Sequence, residues 1–227
     1  VNVLLLGDSH TVGGYGSELE RLLKARGDTV TRVAHVGAAA GDYLTGKYAS
    51  EYAALKGKPF DVVVISLGTN DAAASDYIAP SKTAERIKAL ADGLTSRATW
   101  YVGPPSFSAN AARTYNPAFA GPPGSGKDLN TRAAKVFDAV QPVFGDRAID
   151  PRAATLPFVK ETDIHLGQQG GAAWAAAVFS RVNGAPLAPG APVPGGLAPV
   201  SSGPSPVLVL GALALAGAAF WWWRRKR

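Results

Sequence analysis

The 227-residue sequence contains no cysteine, which removes disulfides, thiolate nucleophiles and cysteine-ligated metals and fits either an oxidising or a reducing compartment. Only three histidines are present, too few to assemble a histidine-rich metal site, and no metal or cofactor is expected. Methionine is missing as well, position 1 included; the expectation is that an initiator, with or without a secretory signal, preceded Val1. Surplus charge is also scarce. The formal net charge is +6, but Arg224, Arg225, Lys226 and Arg227 close the chain, and without these four, 19 basic side chains stand against 17 acidic ones. No basic face is implied for the body of the protein, and nucleic acid is not an expected partner.

What is there is globular: 47% of the residues are hydrophobic and 18% charged. Short apolar runs alternate with helical periodicity. Val3 to Leu6 precedes Tyr15, Leu19, Leu22 and Leu23 at helical spacing. Val30 to Val36 precedes Leu44, Tyr48, Tyr52 and Leu55, which the spacing puts on one helical face. Val62 to Leu67 is followed by Ile87, Leu90, Ala91 and Leu94, and Thr99 to Val102 by Leu129, Ala133, Val136, Phe137 and Val140. A fifth, weaker strand is expected over 147–150 and a last helix over 170–181. Strands that are apolar without alternation are buried on both faces, so the pattern predicts an α/β domain over residues 1–183. Its mostly parallel, flavodoxin-like, five-stranded sheet lies between two helical layers, a three-layer α/β/α sandwich.

The composition changes after Asn183. Residues 184–206 carry seven prolines and five glycines among 23 and no charge, which reads as a linker. Residues 207–223 are then an unbroken apolar and small-residue run ending in three tryptophans, before the basic cluster 224–227. Tryptophans suit a headgroup interface and terminal cations mark the cytoplasmic side, so the expectation is a transmembrane helix that holds the domain outside the cytoplasm. Linker, span and basic tail also resemble the three-part sorting signals of bacterial surface proteins, although no sortase pentapeptide is recognisable.

One stretch points elsewhere. "GPPGSGKD", residues 121–128, is one residue from a phosphate-binding loop. The segment before it has no strand character, and Asp128 replaces the hydroxyl that would meet magnesium. Asp128 reads better as a helix N-cap.

The chemistry sits at four strand-to-turn junctions. "VLLLGDSHTVGG" puts Ser9 just past the first strand, where its hydroxyl can act as a nucleophile if a base takes its proton. "VAHVGAAAGDY" offers Gly37 or Gly41, either of which can bring a backbone N–H close to a substrate. "VVVISLGTNDA" offers the Asn70 carboxamide, and "KETDIHLGQQGGAAW" offers His165 with Asp163 two residues before it. In a parallel sheet the strand C-termini line one edge, where ligands bind, so the four junctions meet in one cleft. Nucleophile, base and oxyanion donors are the roles that acyl transfer needs. Asp8 and Asp71 are expected to brace these turns; His10, His35 and Trp174 are expected to be structural; "YVGPPSF" (101–107) is expected to wall the cleft.

The order GDS, glycine block, GTND, then Asp and His near the domain end resembles the SGNH, or GDSL-type, hydrolases over residues 1–182. The resemblance implies Ser9 as nucleophile, His165 as general base, and the Ser9 N–H, Gly41 and Asn70 as the oxyanion hole, with Gly37 the alternative glycine. It implies an esterase without a metal, acting on a small ester or an acylated glycan or lipid. The family's acid usually stands three residues before the histidine, where this chain has Thr162; Asp163 resembles instead the Asp-x-His of alginate-type O-acetyltransferases, and Glu161 or a main-chain carbonyl are the alternatives for the third member of the triad. O-acetyl transfer, or a non-catalytic glycan-binding module with a degenerate site, are the alternatives.

Overall fold

The computed structural model describes residues 1–74, 78–115 and 128–184. Five parallel strands, β1 (Asn2–Gly7), β2 (Thr29–Ala34), β3 (Pro59–Ser66), β4 (Thr95–Val102) and β5 (Ala148–Ile149), form one sheet in the order β2-β1-β3-β4-β5. This is the doubly wound order expected of the flavodoxin-like class. Gly7 lies level with Ala34 on one side and Ser66 on the other, so the chain leaves β1, β2 and β3 at the same height. That common edge is where the site is built.

The helices are α1 (Ser9–Val12), α2 (Gly14–Ala25), α3 (Ala40–Leu44), α4 (Ala49–Ala53), α5 (Thr69–Ala73), α6 (Pro80–Asp92), α7 (Ala109–Tyr115), α8 (Leu129–Phe144), α9 (Arg152–Thr155) and α10 (Gly167–Gly184). Strand side chains alternate between two cores. Leu4, Leu6, Val63, Ile65 and Tyr101 face one cluster with residues of α3, α4, α6 and α8. Val3, Leu5, Val62, Val64, Trp100 and Val102 face the other, with α2 and α10. Each fully buried leucine or valine contributes roughly 1.5–3 kcal/mol, which is why the central strands are apolar through Val3–Leu6 and Val62–Ile65, while the edge strand β2 exposes Thr29, Thr31 and Arg32. The three layers expected from the sequence are present.

Two elements depart from expectation. The helix anticipated through Leu44, Tyr48, Tyr52 and Leu55 is two short helices, because the N–H groups of Thr45 and Gly46 both return to the Gly41 carbonyl and that of Tyr48 returns to Asp42 O at 2.9 Å. The turn ends α3, and the four side chains still reach one core. The fifth strand is only two residues long, because the flanking residues enter a 3-10 turn on one side and the Asp150–Arg152 turn on the other.

Residues 121–127 of the phosphate-loop-like stretch lie outside the described residues. Asp128 caps α8, its carboxylate accepting the Thr131 N–H at 2.8 Å, as an N-cap does. The expected linker (Gly184 aside, which closes α10), transmembrane segment and basic tail also lie outside the described residues. Among those described, no helix is long and apolar enough to cross a membrane.

Candidate active site

Ser9 opens α1 immediately after β1. The Asp8 carboxylate caps this turn by accepting the His10 N–H at 3.0 Å, which fixes the backbone that presents the Ser9 hydroxyl at the sheet edge. From the other end of the chain, the loop before α10 brings His165 to it: Nε2 lies 3.1 Å from Ser9 Oγ across 156 residues of sequence. Asp163 Oδ1 accepts two bonds from His165, from its backbone N–H and from ring Nδ1, both at 2.9 Å. Facing a carboxylate, Nδ1 carries the ring proton, which leaves Nε2 to accept from the serine hydroxyl. Asp163, rather than Glu161 or a main-chain carbonyl, meets the ring. Partial burial works to raise the Asp163 carboxyl's pKa, but the two bonds from His165, together with the charges of His165 and Lys160, hold it below the ordinary carboxylate value. It is therefore ionised at neutral pH.

The other two junctions leave β2 and β3, the strands on either side of β1. Gly68 sits at φ +115°, a conformation that favours glycine, and turns the chain from β3 into α5 so that Asn70 stands at the edge. Asn70 Nδ2 donates to Ala38 O at 3.0 Å, and Ala40 N–H donates to Asp71 Oδ2 at 3.0 Å, so the glycine block and the GTND turn are tied together. Tyr43 OH donates to Gly7 O at 2.6 Å, tying α3 to the end of β1. The N–H of Ala39 is taken by Asp42, that of Ala40 by Asp71 and that of Asp42 by Ala39 O; the Gly41 N–H has no acceptor among the described residues. Gly37 is on the exposed turn before this block, at φ +74°. One Asn70 amide hydrogen is likewise left over after the bond to Ala38.

Asp8 and Asp71 brace the turns, although Asp71 holds the glycine block rather than its own turn. Burial pushes the Asp8 carboxyl up to about 7, opposed by the His10 N–H and reinforced by the Asp71 charge. A pKa raised in the folded state stabilises at low pH and loses that contribution as pH rises through about 7. Asp8→Asn keeps the cap acceptor and removes the buried charge, so its unfolding free energy in urea should match wild type near pH 4 and exceed it at pH 8, by at most about 4 kcal/mol. A variant that loses more stability at pH 8 than at pH 4 would contradict this account.

His10 is buried and neutral; burial, with the nearby His165, lowers its pKa to about 3. Its ring lies 5.1 Å from that of His165 and 5.3 Å from that of Trp174, which itself stacks on Tyr15 at 4.2 Å. His35 stacks on Tyr48 and pairs with Glu51, away from this relay. Phe107, held by two bonds to Asn130, is buried with its ring 6.3 Å from His10, and no residue of the 101–107 stretch lines the cleft beside Ser9 and His165, so the wall expected there belongs to the core behind the site. Sequence reasoning missed Arg86, whose guanidinium lies against Gly41 and 3.9 Å from Asp71 Oδ1, and Lys160, beside Asp163. No local pattern marks Arg86; Lys160 shares the His165 loop and could have been noticed. Among the described residues no group of three His, Asp or Glu side chains is placed to hold a metal ion.

A parallel sheet whose C-terminal edge carries a hydroxyl, an imidazole and a carboxylate in relay is the frame of a serine hydrolase. Residues 5–173 match the model of the GDSL-like lipase/acylhydrolase family, and the chain belongs to that family. Three solved structures share the fold. A lipase/acylhydrolase from Enterococcus faecalis is 18% identical with a TM-score of 0.59, over 81% of this chain and 95% of that one. An acetylxylan esterase from Geobacillus stearothermophilus is 15% identical with a TM-score of 0.56, over 80% and 93%. An acetyl xylan esterase, AlAXEase, is 19% identical with a TM-score of 0.54, over 80% and 100%. No curated protein has a sequence that matches this chain.

Proposed function

We propose that this protein hydrolyses carboxylic esters through an acyl-serine. The observation that carries the reading is the continuous relay from Asp163 through His165 to Ser9, with bonds of 2.9 and 3.1 Å, on the edge of a GDSL-family sheet. In the reaction, His165 Nε2 takes the Ser9 proton as Oγ bonds to the ester carbonyl carbon. The oxyanion that forms is held by the Ser9 and Gly41 N–H groups and the spare Asn70 amide hydrogen. Collapse breaks the bond to the alcohol oxygen, which leaves with the proton from Nε2. Water, deprotonated by the same nitrogen, then attacks the acyl carbon; acid is released and Ser9 recovers its proton. Asp163 stays ionised throughout and stabilises the imidazolium. Side chains of His165 and Asp163 that are 44% and 45% exposed leave water a path to the acyl-serine, which favours hydrolysis over O-acetyl transfer.

The experiment is turnover of p-nitrophenyl acetate by the whole chain, together with labelling by a fluorophosphonate probe. Labelling at Ser9 that stops turnover is expected; no labelling and no turnover would remove the reading.

The acyl group is short and the carrier a glycan or lipid of a cell envelope. Acetylxylan esterases among the similar folds support the first part, and the apolar segment 207–223 with its tryptophans and terminal cations supports the second. The chain is held at that envelope by the same segment, with its domain outside the cytoplasm. Wild type should sediment with lipid vesicles, and Leu213→Arg/Leu215→Arg should not; equal sedimentation would remove the anchor.

A further inference from the structure

The base in this site also marks where the alcohol of the ester must lie. The proton held on His165 Nε2 is delivered to the departing oxygen, so that oxygen must be on the histidine side of Ser9, away from the Ala38–Gly41 block and Asn70. On that side a cleft of about 290 Å³ opens; Ser9, His10, Lys160, His165, Gly167 and Trp174 are among its walls, and neither Gly41 nor Asn70 is. It is the size of one ring-sized group rather than a long acyl chain.

Three features give this cleft a chemistry of its own. Lys160 stands at its mouth, its stem laid directly on Gly167: a Cβ there would be 2.9 Å from Lys160 Cε and 3.0 Å from Nζ, and φ of +72° at Gly167 favours glycine in any case. The Lys160 ammonium is 4.0 Å from Asp163 Oδ2, too far for a hydrogen bond, and both side chains are nearly half exposed, so this pairing is weak and leaves the ammonium free to take another anion. During turnover His165 becomes an imidazolium, and its charge with that of Lys160 outnumbers the single charge of Asp163. Finally, His10 Nε2 and Trp174 Nε1 are buried and have no hydrogen-bond partner among the described residues, although both residues line the cleft. Two polar atoms left unpaired just behind the cleft's walls suit a polar, oxygen-bearing guest better than a hydrocarbon.

Resting on the esterase reading above, we propose that this cleft receives the alcohol part of the ester and that this alcohol is a hydroxylated ring bearing a carboxylate or phosphate, which Lys160 pairs with. Lys160 is thus a specificity-determining residue, selecting esters of acidic sugars or similar anionic alcohols over their neutral counterparts.

The test compares three acetates carrying the acetyl group at one ring position: a methyl glucuronoside, the matching glucuronamide, and methyl glucoside 6-phosphate. At low salt, kcat/KM for at least one of the two anionic esters should exceed that for the amide by about five-fold or more, mostly through KM, and the ratio should shrink in 0.5 M NaCl as screening weakens the pair. Which anion gains more tells carboxylate from phosphate. The ratio should persist in Lys160→Arg, fall to about one in Lys160→Gln and below one in Lys160→Glu, whatever happens to the absolute rates. A wild-type ratio near one for both anions, or one that Lys160→Gln leaves intact, overturns the inference while the esterase stands. Turnover of p-nitrophenyl acetate with none of the three sugar acetates overturns the inference and leaves the esterase standing; failure on p-nitrophenyl acetate as well sinks both.

Discussion

Ser9→Ala and His165→Ala are each expected to lower kcat for p-nitrophenyl acetate by roughly 10^4- to 10^6-fold, and the double variant should be no worse than either. The reason is that the two side chains act as one unit. Ser9 Oγ forms the bond to carbon, but at neutral pH it is reactive only as its proton passes to the nitrogen 3.1 Å away. Without the imidazole the hydroxyl is a poor nucleophile; without the hydroxyl the imidazole has nothing to activate except water. The residual rate then belongs to the oxyanion donors and to binding, which both variants retain. Ser9 makes no other side-chain hydrogen bond among the described residues, so Ser9→Ala should keep the wild-type melting temperature and circular dichroism. A folded Ser9→Ala protein with more than a few per cent of wild-type kcat would mean that another group performs the attack.

The frame of this site was legible in the sequence because a parallel sheet turns local patterns into spatial ones. Val3–Leu6 and Val62–Leu67 announce strands buried on both faces, and the residues just beyond them, Ser9 and Asn70, must then stand on one edge. His165 follows no strand directly, and it was the order of the motifs shared with the GDSL-type hydrolases that joined it to this edge from the opposite end of the chain. The choice among Glu161, Thr162 and Asp163 was not legible, because it depends on how the loop folds back: Asp163 reaches the ring by also accepting the His165 N–H, a local bond that draws residues 163 and 165 together. Gly41 could not be separated from Gly37 for a similar reason. Only in three dimensions do Asp42, Asp71 and Ala39 take the neighbouring N–H groups and leave that of Gly41 without an acceptor. Contacts made by long side chains from remote elements, Arg86 against Gly41 and Lys160 over Gly167, leave no periodic trace in the sequence. Burial of His10 was equally hidden, since a histidine after the nucleophile reads the same whether it faces solvent or a tryptophan.

Asp163→Ala should lower kcat by about 10^3- to 10^4-fold, with KM changed little. The carboxylate does two things for His165: it fixes the proton on Nδ1, so that Nε2 faces Ser9 as an acceptor, and it stabilises the imidazolium that exists only after Ser9 has surrendered its proton. Both act on the transition state rather than on substrate binding, which is why the loss should appear in kcat. Asp163→Asn separates the two. Its Oδ1 can still accept from His165 N and Nδ1 in the present arrangement, so the ring keeps its orientation while the negative charge is gone. A kcat for Asp163→Asn well above that of Asp163→Ala would assign most of the effect to orientation, and equal losses would assign it to the charge or to the Nδ1–H tautomer, which an amide turned to donate would displace. Because the carboxyl is held below its ordinary pKa, it is ionised throughout the neutral range, and its own titration adds no pH dependence to either loss there. The side chain is nearly half exposed, and an exposed pair contributes little to folding, so neither variant should shift the melting temperature by more than a few degrees. An Asp163→Ala enzyme that retains full kcat would leave the main chain alone to orient His165, and the shift of the acid from the family's usual position to residue 163 would then be without catalytic meaning.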